Sequence, residues 1–146
     1  MKEISTEIGI SAPPEKVWGV LTDFPAFPQW NAFVQTVEGQ LTAGAELIVR
    51  IQPPGGMAMT FKPNILKVDP NRELRWLGRL WFPGVFDGEH YFLVEELGPG
   101  QTRFTQGERF AGILVPLMGM IGLYPKTLLG FSEMNQALKD RVEGLG

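Results

Sequence analysis

The only histidine of the chain, His90, and a glutamate further along, Glu108, are the residues whose types suit chemistry. An imidazole beside a carboxyl can anchor a ligand carbonyl or hydroxyl, or move a proton in an enolisation or dehydration. Whether the two meet depends on the strands that carry them. In the predicted strand Phe86–Glu96, the residues Phe86, Gly88, His90, Phe92 and Val94 share one face, and Asp87, Glu89, Tyr91, Leu93 and Glu95 share the other. In the next, Thr102–Phe110, the residues Phe104, Gln106, Glu108 and Phe110 lie opposite Arg103, Thr105 and Arg109. The phenylalanine-rich faces are expected to point inward. Both hold even-numbered positions, so only an even pairing sum keeps them together. A turn centred on Pro99, with Leu97 opposite Gln101, meets that condition. It puts Phe92 opposite Gln106 and His90 opposite Glu108. Directly opposed residues have Cβ atoms roughly 4.5–5.5 Å apart, close enough for an imidazole–carboxylate contact.

The pair has two readings at this point. His90 and Glu108 can satisfy each other and tie two strands together, or they can act on a ligand as polar anchor or as acid and base. The preceding strand would bring Trp76 and Leu80 alongside, with Gly78 leaving room near His90. The expected cavity wall on the sheet is therefore Trp76, Leu80, His90, Phe92, Phe104, Gln106 and Glu108. On the C-terminal helix it is Ile121, Tyr124 and Leu128. Trp18, Trp30 and Trp76 are spaced for packing, and the Asp87–Glu89 pair is expected to be solvated. The Pro53–Gly56 loop lacks the Lys-Ser/Thr end of a phosphate loop.

The elements that must position these groups follow from alternation and punctuation. Ile4–Ile10 alternates as a strand. Ser11, then Pro13, Pro14 and Glu15, reads as the start of a short helix. Phe24–Trp30 reads as a second short helical piece, interrupted by Pro25 and Pro28. Six strands follow: Phe33–Glu38, Ala45–Ile51, Met57–Val68 with a bulge at Pro63, Arg72–Trp81, Phe86–Glu96 and Thr102–Phe110. Leu117, Ile121, Tyr124, Leu128, Phe131, Asn135, Leu138 and Val142 then recur at helical spacing. Pro125 within that stripe predicts a kink or a division into two pieces. Short connections make the sheet antiparallel. The expected fold is α+β: a seven-stranded curved antiparallel sheet around a long C-terminal helix, with two short helices after the first strand. A concave sheet covered by one helix encloses space suited to a ligand.

Composition narrows the function. At 146 residues, without repeats or linkers, the chain reads as one domain over residues 1–146. Its 13 basic and 16 acidic residues give a net charge of −3, with no footprint for nucleic acid. The absence of cysteine excludes disulfides and thiolate chemistry, and a single histidine excludes multi-histidine metal sites. Neither cofactor nor metal is expected. The longest uncharged stretch, Phe110–Pro125, has 16 residues, short of the roughly 18–20 needed for a membrane span. The opening MKEISTEIGI is not a signal peptide, which makes the cytoplasm the expected location.

Several segments carry a resemblance. Ile10-Ser-Ala-Pro-Pro-Glu15-Lys-Val-Trp18, Leu21-Thr-Asp-Phe24 and Trp30-Asn-Ala-Phe33 resemble the opening of the START/Bet v1-like (SRPBCC) superfamily, in its bacterial polyketide cyclase/dehydrase-type branch. Leu74-Arg-Trp76-Leu-Gly78, Gly88-Glu-His90-Tyr-Phe92 and Phe104-Thr-Gln-Gly-Glu108-Arg-Phe110-Ala-Gly112 resemble its later strands. Ala32 departs from a proline common in that branch, which affects a turn. The resemblance implies the helix-grip fold and a cavity for lipids, polyketides or other apolar molecules. Fold alone does not assign function. The leading expectation is a protein that binds a hydrophobic small molecule, as a monomer or weak homodimer. A cyclase or dehydratase using His90 and Glu108, or a regulatory module binding another protein, are the alternatives.

Overall fold

Prolines and glycines divide the chain much as the sequence suggests. The structure, a computed structural model, describes residues 1–144. The elements are β1 (Lys2–Ile10), α1 (Pro14–Leu21), a 3₁₀ segment (Phe24–Gln29), β2 (Val34–Glu38), β3 (Ile48–Ile51), β4 (Met59–Phe61), β5 (Asn64–Asp69), β6 (Glu73–Leu80), β7 (Phe86–Gly98), β8 (Gln101–Ala111), α2 (Val115–Met120) and α3 (Leu123–Gly144). Pro13, not Ser11, occupies the cap position of α1, and no side chain caps it. Prolines at the helix start leave fewer N–H groups to satisfy. Asn31 is buried, and its Oδ1 accepts from the backbone N–H groups of Phe33 and Val34 at 3.1 and 2.9 Å, which turns the chain into β2.

The sheet has eight strands rather than seven. They form a five-stranded antiparallel part, β1-β8-β7-β6-β5, and a three-stranded part, β2-β3-β4. The two parts meet at a bridge between Glu46 and Asn64 and at hydrogen bonds such as Ile65 N–H to the Ala45 carbonyl, 2.9 Å. The expected strand Met57–Val68 is two strands because Pro63, which has no N–H to donate, separates them. Pro63 still accepts from Leu47 N–H at 2.8 Å, so it is a corner between the parts.

The C-terminal stripe divides as Pro125 suggested, but the break lies earlier. Gly122 adopts φ 79° between α2 and α3, and Pro125 sits harmlessly in the first turn of α3. Leu117 and Ile121 are exposed, so the buried stripe begins at Tyr124 and continues through Phe131, Asn135, Leu138 and Val142. Gly130 lets α3 approach β2, because a β-carbon there would collide with the Phe33 ring. Phe131, Met134 and Leu138 are fully buried beside Phe92 and Phe104, and they fill the space between helix and sheet. Trp18 and Trp76 are core residues, whereas Trp30 is only partly buried. No helix of the described residues is long and apolar enough to cross a membrane.

Candidate functional site

The register of β7 and β8 is the predicted one over its length. His90 pairs with Glu108, Phe92 with Gln106 and Val94 with Phe104. The turn differs: Gly98, not Leu97, pairs with Gln101, and a bulge between Glu96 and Gly98 restores the sum. Gly100 at φ 69° allows that tighter turn, and the bulge absorbs the extra residue. On the adjacent strand, Trp76 pairs with His90 and Gly78 with Gly88.

His90 is 2% exposed, its ring stacked on Phe92 and close to Trp76 and Phe131. Behind it lies a chain of amides. Gln106 Nε2 reaches the Phe131 carbonyl at 3.4 Å and Asn135 Oδ1 at 2.9 Å. A backbone carbonyl can only accept, so the Gln106 amide is fixed with its oxygen toward His90. That oxygen lies 2.9 Å from His90 Nε2, which must therefore carry the hydrogen. Nδ1 is left as a lone-pair acceptor, and it faces Glu108 Oε1 at 3.8 Å. Burial drives the His90 pKa down to about 4, against the raising effect of the Gln106 hydrogen bond, so the ring is neutral at neutral pH.

Glu108 is the counterpart. Its side chain is 18% exposed, and desolvation pushes its carboxyl up to about 8. The carboxyl lies over Gly88, in volume that a β-carbon would otherwise claim. No arginine or lysine forms an ion pair with it among the described residues, and the His90 ring is beyond hydrogen-bond distance. At neutral pH the group is a protonated acid, able to donate a hydrogen bond.

That acid borders a cavity of about 110 Å³. Its floor is the glycine pair Gly78 and Gly88 with His90 and Glu108; its walls are Trp76, Leu80, Phe86 and Phe110 from the large part of the sheet and Val49, Ile51, Phe61 and Pro63 from the β3–β5 side. Arg79, half exposed, marks the side where the cavity reaches the surface. The lining is mostly apolar.

Four of the expected wall residues, Trp76, Leu80, His90 and Glu108, come together there. The rest do not. Phe92, Phe104 and Gln106 are buried in the packing beneath, where Gln106 orients His90. Ile121 is exposed. Tyr124 and Leu128 line a different, open groove with Val115 and Lys2, and the Tyr124 hydroxyl donates to the Val115 carbonyl at 2.7 Å. The cavity thus lies between the two parts of the sheet and not between sheet and C-terminal helix, because α3 side chains fill the latter space. At about 110 Å³ it is also smaller than the roughly 300–1,000 Å³ of a drug-sized site. Sequence reasoning missed Gly88, Phe61 and the β3 wall. The inward Gly88 facing Gly78 was a signal for bare sheet. The Asp87–Glu89 pair faces outward but is not freely solvated: Glu89 binds Arg75, and Asp87 accepts from Gly84 N–H at 3.2 Å.

A family model described as polyketide cyclase/dehydrase and lipid transport matches residues 1–143. The chain belongs to that family. No curated protein sequence matches it. Among solved structures, the family member is similar to a START superfamily protein from Mycobacterium smegmatis, at 21% identity over 99% of both chains and a TM-score of 0.74. It is similar to the Zhui aromatase/cyclase from a Streptomyces species, at 17% identity, 97% and 93% coverage and a TM-score of 0.78. A third likeness, at 15% identity, 99% and 88% coverage and a TM-score of 0.74, is to norcoclaurine synthase from Thalictrum flavum in complex with dopamine and hydroxybenzaldehyde. At these identities the likeness is one of fold: an α+β helix-grip domain of the START type.

Proposed function

We propose that this polyketide cyclase-type domain binds an apolar small molecule by an oxygen-bearing, ring-sized end, which enters the cavity between the two parts of the sheet. The observation that carries the reading is the Glu108 carboxyl, largely desolvated at the edge of an apolar cavity and without a protein hydrogen-bond partner among the described residues. An unpartnered buried polar group is costly, and a ligand oxygen accepting from the acid would offset that cost. A dry cavity of about 150 Å³ is known to admit benzene, so about 110 Å³ suits one small ring or a short chain. A longer molecule would extend past Arg79 and Leu80 toward solvent. The test is native mass spectrometry of the protein purified from its own cells. An adduct lost in Glu108→Leu, which removes the donor, with the fold intact, supports the reading. Absence of any adduct, or one indifferent to Glu108, contradicts it.

One feature favours a second, catalytic reading. Glu108 is a neutral acid and His90 presents an unprotonated Nδ1 on the same rung, so the pair joins a donor and an acceptor. Such a pair could protonate a ligand carbonyl and accept a proton in a dehydration or cyclisation. The depressed His90 pKa makes it a weak base, which ranks this reading second. Turnover of a bound β-hydroxy ketone, abolished in His90→Gln with binding retained, would establish it. Retained turnover in that variant would dismiss it.

A further inference from the structure

The β6–β7 tip and the segment after β8 form one exposed apolar end. Ile113 N–H donates to the Gly84 carbonyl and Leu114 N–H to the Val85 carbonyl, each at 3.0 Å, so the two loops lie side by side. Trp81 and Phe82 on the first loop are 75% and 73% exposed, and Ile113, Leu117, Met120 and Ile121 on the second are exposed as well. Helix α2 buries none of its residues. Single exposed apolar residues are ordinary, but a cluster of this kind on neighbouring loops marks a docking surface. Trp81 adds a second signal. It holds φ 66°, a left-handed conformation disfavoured for a bulky aromatic residue, and yet makes no buried contact that would explain keeping it.

The charges around this end select the occupant. No aspartate or glutamate occurs between Arg109 and Glu133, where Lys126 follows the second loop; at the first loop Arg79 lies 3.7 Å from Asp87, which also accepts from Gly84 N–H, so those two charges offset each other. Lys2 adds a second cation beside Lys126, its Nζ 5.6 Å from the centre of the Tyr124 ring beside α2. In a chain of net charge −3, these two lysines leave the α2 side of this end basic. Self-association about a two-fold axis here would set the same cations of both copies against each other. An anionic lipid surface would attract them and receive the aromatic and aliphatic side chains in its interfacial layer, where tryptophan is favoured.

We propose that this end is a docking surface for anionic lipid bilayers, with Trp81 and Phe82 as the inserting residues and Ile113 and Met120 as the second contact. The surface is independent of what the inter-sheet cavity binds. The test is flotation of the full chain with vesicles of equal parts phosphatidylcholine and phosphatidylglycerol, against vesicles of phosphatidylcholine alone. The protein floats with the anionic vesicles and at least about fivefold less with the neutral ones. Trp81→Ser with Phe82→Ser lowers flotation at least about tenfold. Ile113→Ser with Met120→Ser, on the other loop, does so independently and decides the matter should the first variant fail to fold. No flotation with anionic vesicles, or flotation unchanged in the variants, overturns the proposal. So does a dimer in sedimentation velocity that these substitutions dissolve, since the surface then belongs to a second copy.

Discussion

Glu108 and His90 face each other across one rung of the β7–β8 ladder, with Glu108 Oε1 3.8 Å from His90 Nδ1. The pair is close enough to influence each other and too far apart to satisfy each other. Gln106 holds the far nitrogen of the ring, so both unsatisfied groups, the acid and Nδ1, remain on the cavity side.

The two groups shape stability against pH in opposite directions. The folded pKa of Glu108 is raised to about 8, so its contribution is complete below the unfolded value near 4.5 and lost as pH rises through about 8. The folded pKa of His90 is depressed to about 4, so stability falls as pH drops from the unfolded value near 6.5 toward 4. Between pH ~4.5 and ~6.5 the two slopes cancel, and above that window only Glu108 acts. Urea unfolding should show a plateau there and a decline up to pH ~8 of at most about 1.4 kcal/mol per unit, lessened by the partial exposure of Glu108. In Glu108→Gln that decline disappears. A decline of the same size in the variant would show that other groups cause it.

Gln106→Leu should leave the His90 Nε2–H buried without an acceptor and cost about 1–3 kcal/mol in urea unfolding. Nitrogen-15 shifts of the wild-type imidazole should show hydrogen on Nε2 and a bare Nδ1. The opposite tautomer would place the lone pair toward Gln106 and remove the acceptor from the cavity.

Gly88 and Gly78 pair directly but should respond differently to alanine. A β-carbon at Gly88 would overlap the Glu108 carboxyl, while one at Gly78 meets only the Pro63 side chain at 3.9 Å. Gly88→Ala should displace the acid and weaken ligand retention at least about tenfold, and Gly78→Ala should fold at least as stably as wild type. Equal retention in both variants, read by native mass spectrometry, would mean that the Glu108 position is unimportant.

Helix α2 buries no residue, and Gly112 and Gly122, at φ 121° and 79°, flank it. Its amides should exchange with deuterium at least about tenfold faster than those of Leu128–Val142. Equally slow exchange across both would show α2 to be held as firmly as α3.

The strand pairing was legible in part because parity is strict: the inward phenylalanines of β7 and β8 all fall on even positions, so every register with an odd pairing sum is excluded. Parity together with a turn near Pro99 placed His90 opposite Glu108, and the bulge between Glu96 and Gly98 absorbs the one-residue difference in the turn. The side on which space remains was not legible, because it depends on how far Phe131 and Met134 of α3 reach toward Phe92 and Phe104. Three-dimensional packing decides that, and residue type along one strand does not carry it. The break before α3 was misplaced for a local reason. A proline in the first turn is tolerated, so the glycine with positive φ ends α2 instead.

The most direct test is carbon-13 NMR of the Glu108 side-chain carboxyl through a pH titration, without and with phenol as a cavity-sized probe. Titration near pH 8 is expected in the free protein, moved upward by phenol, with shifts at Trp76 and Phe110. A carboxyl titrating near the ordinary value of about 4.5, unmoved by phenol, would contradict it.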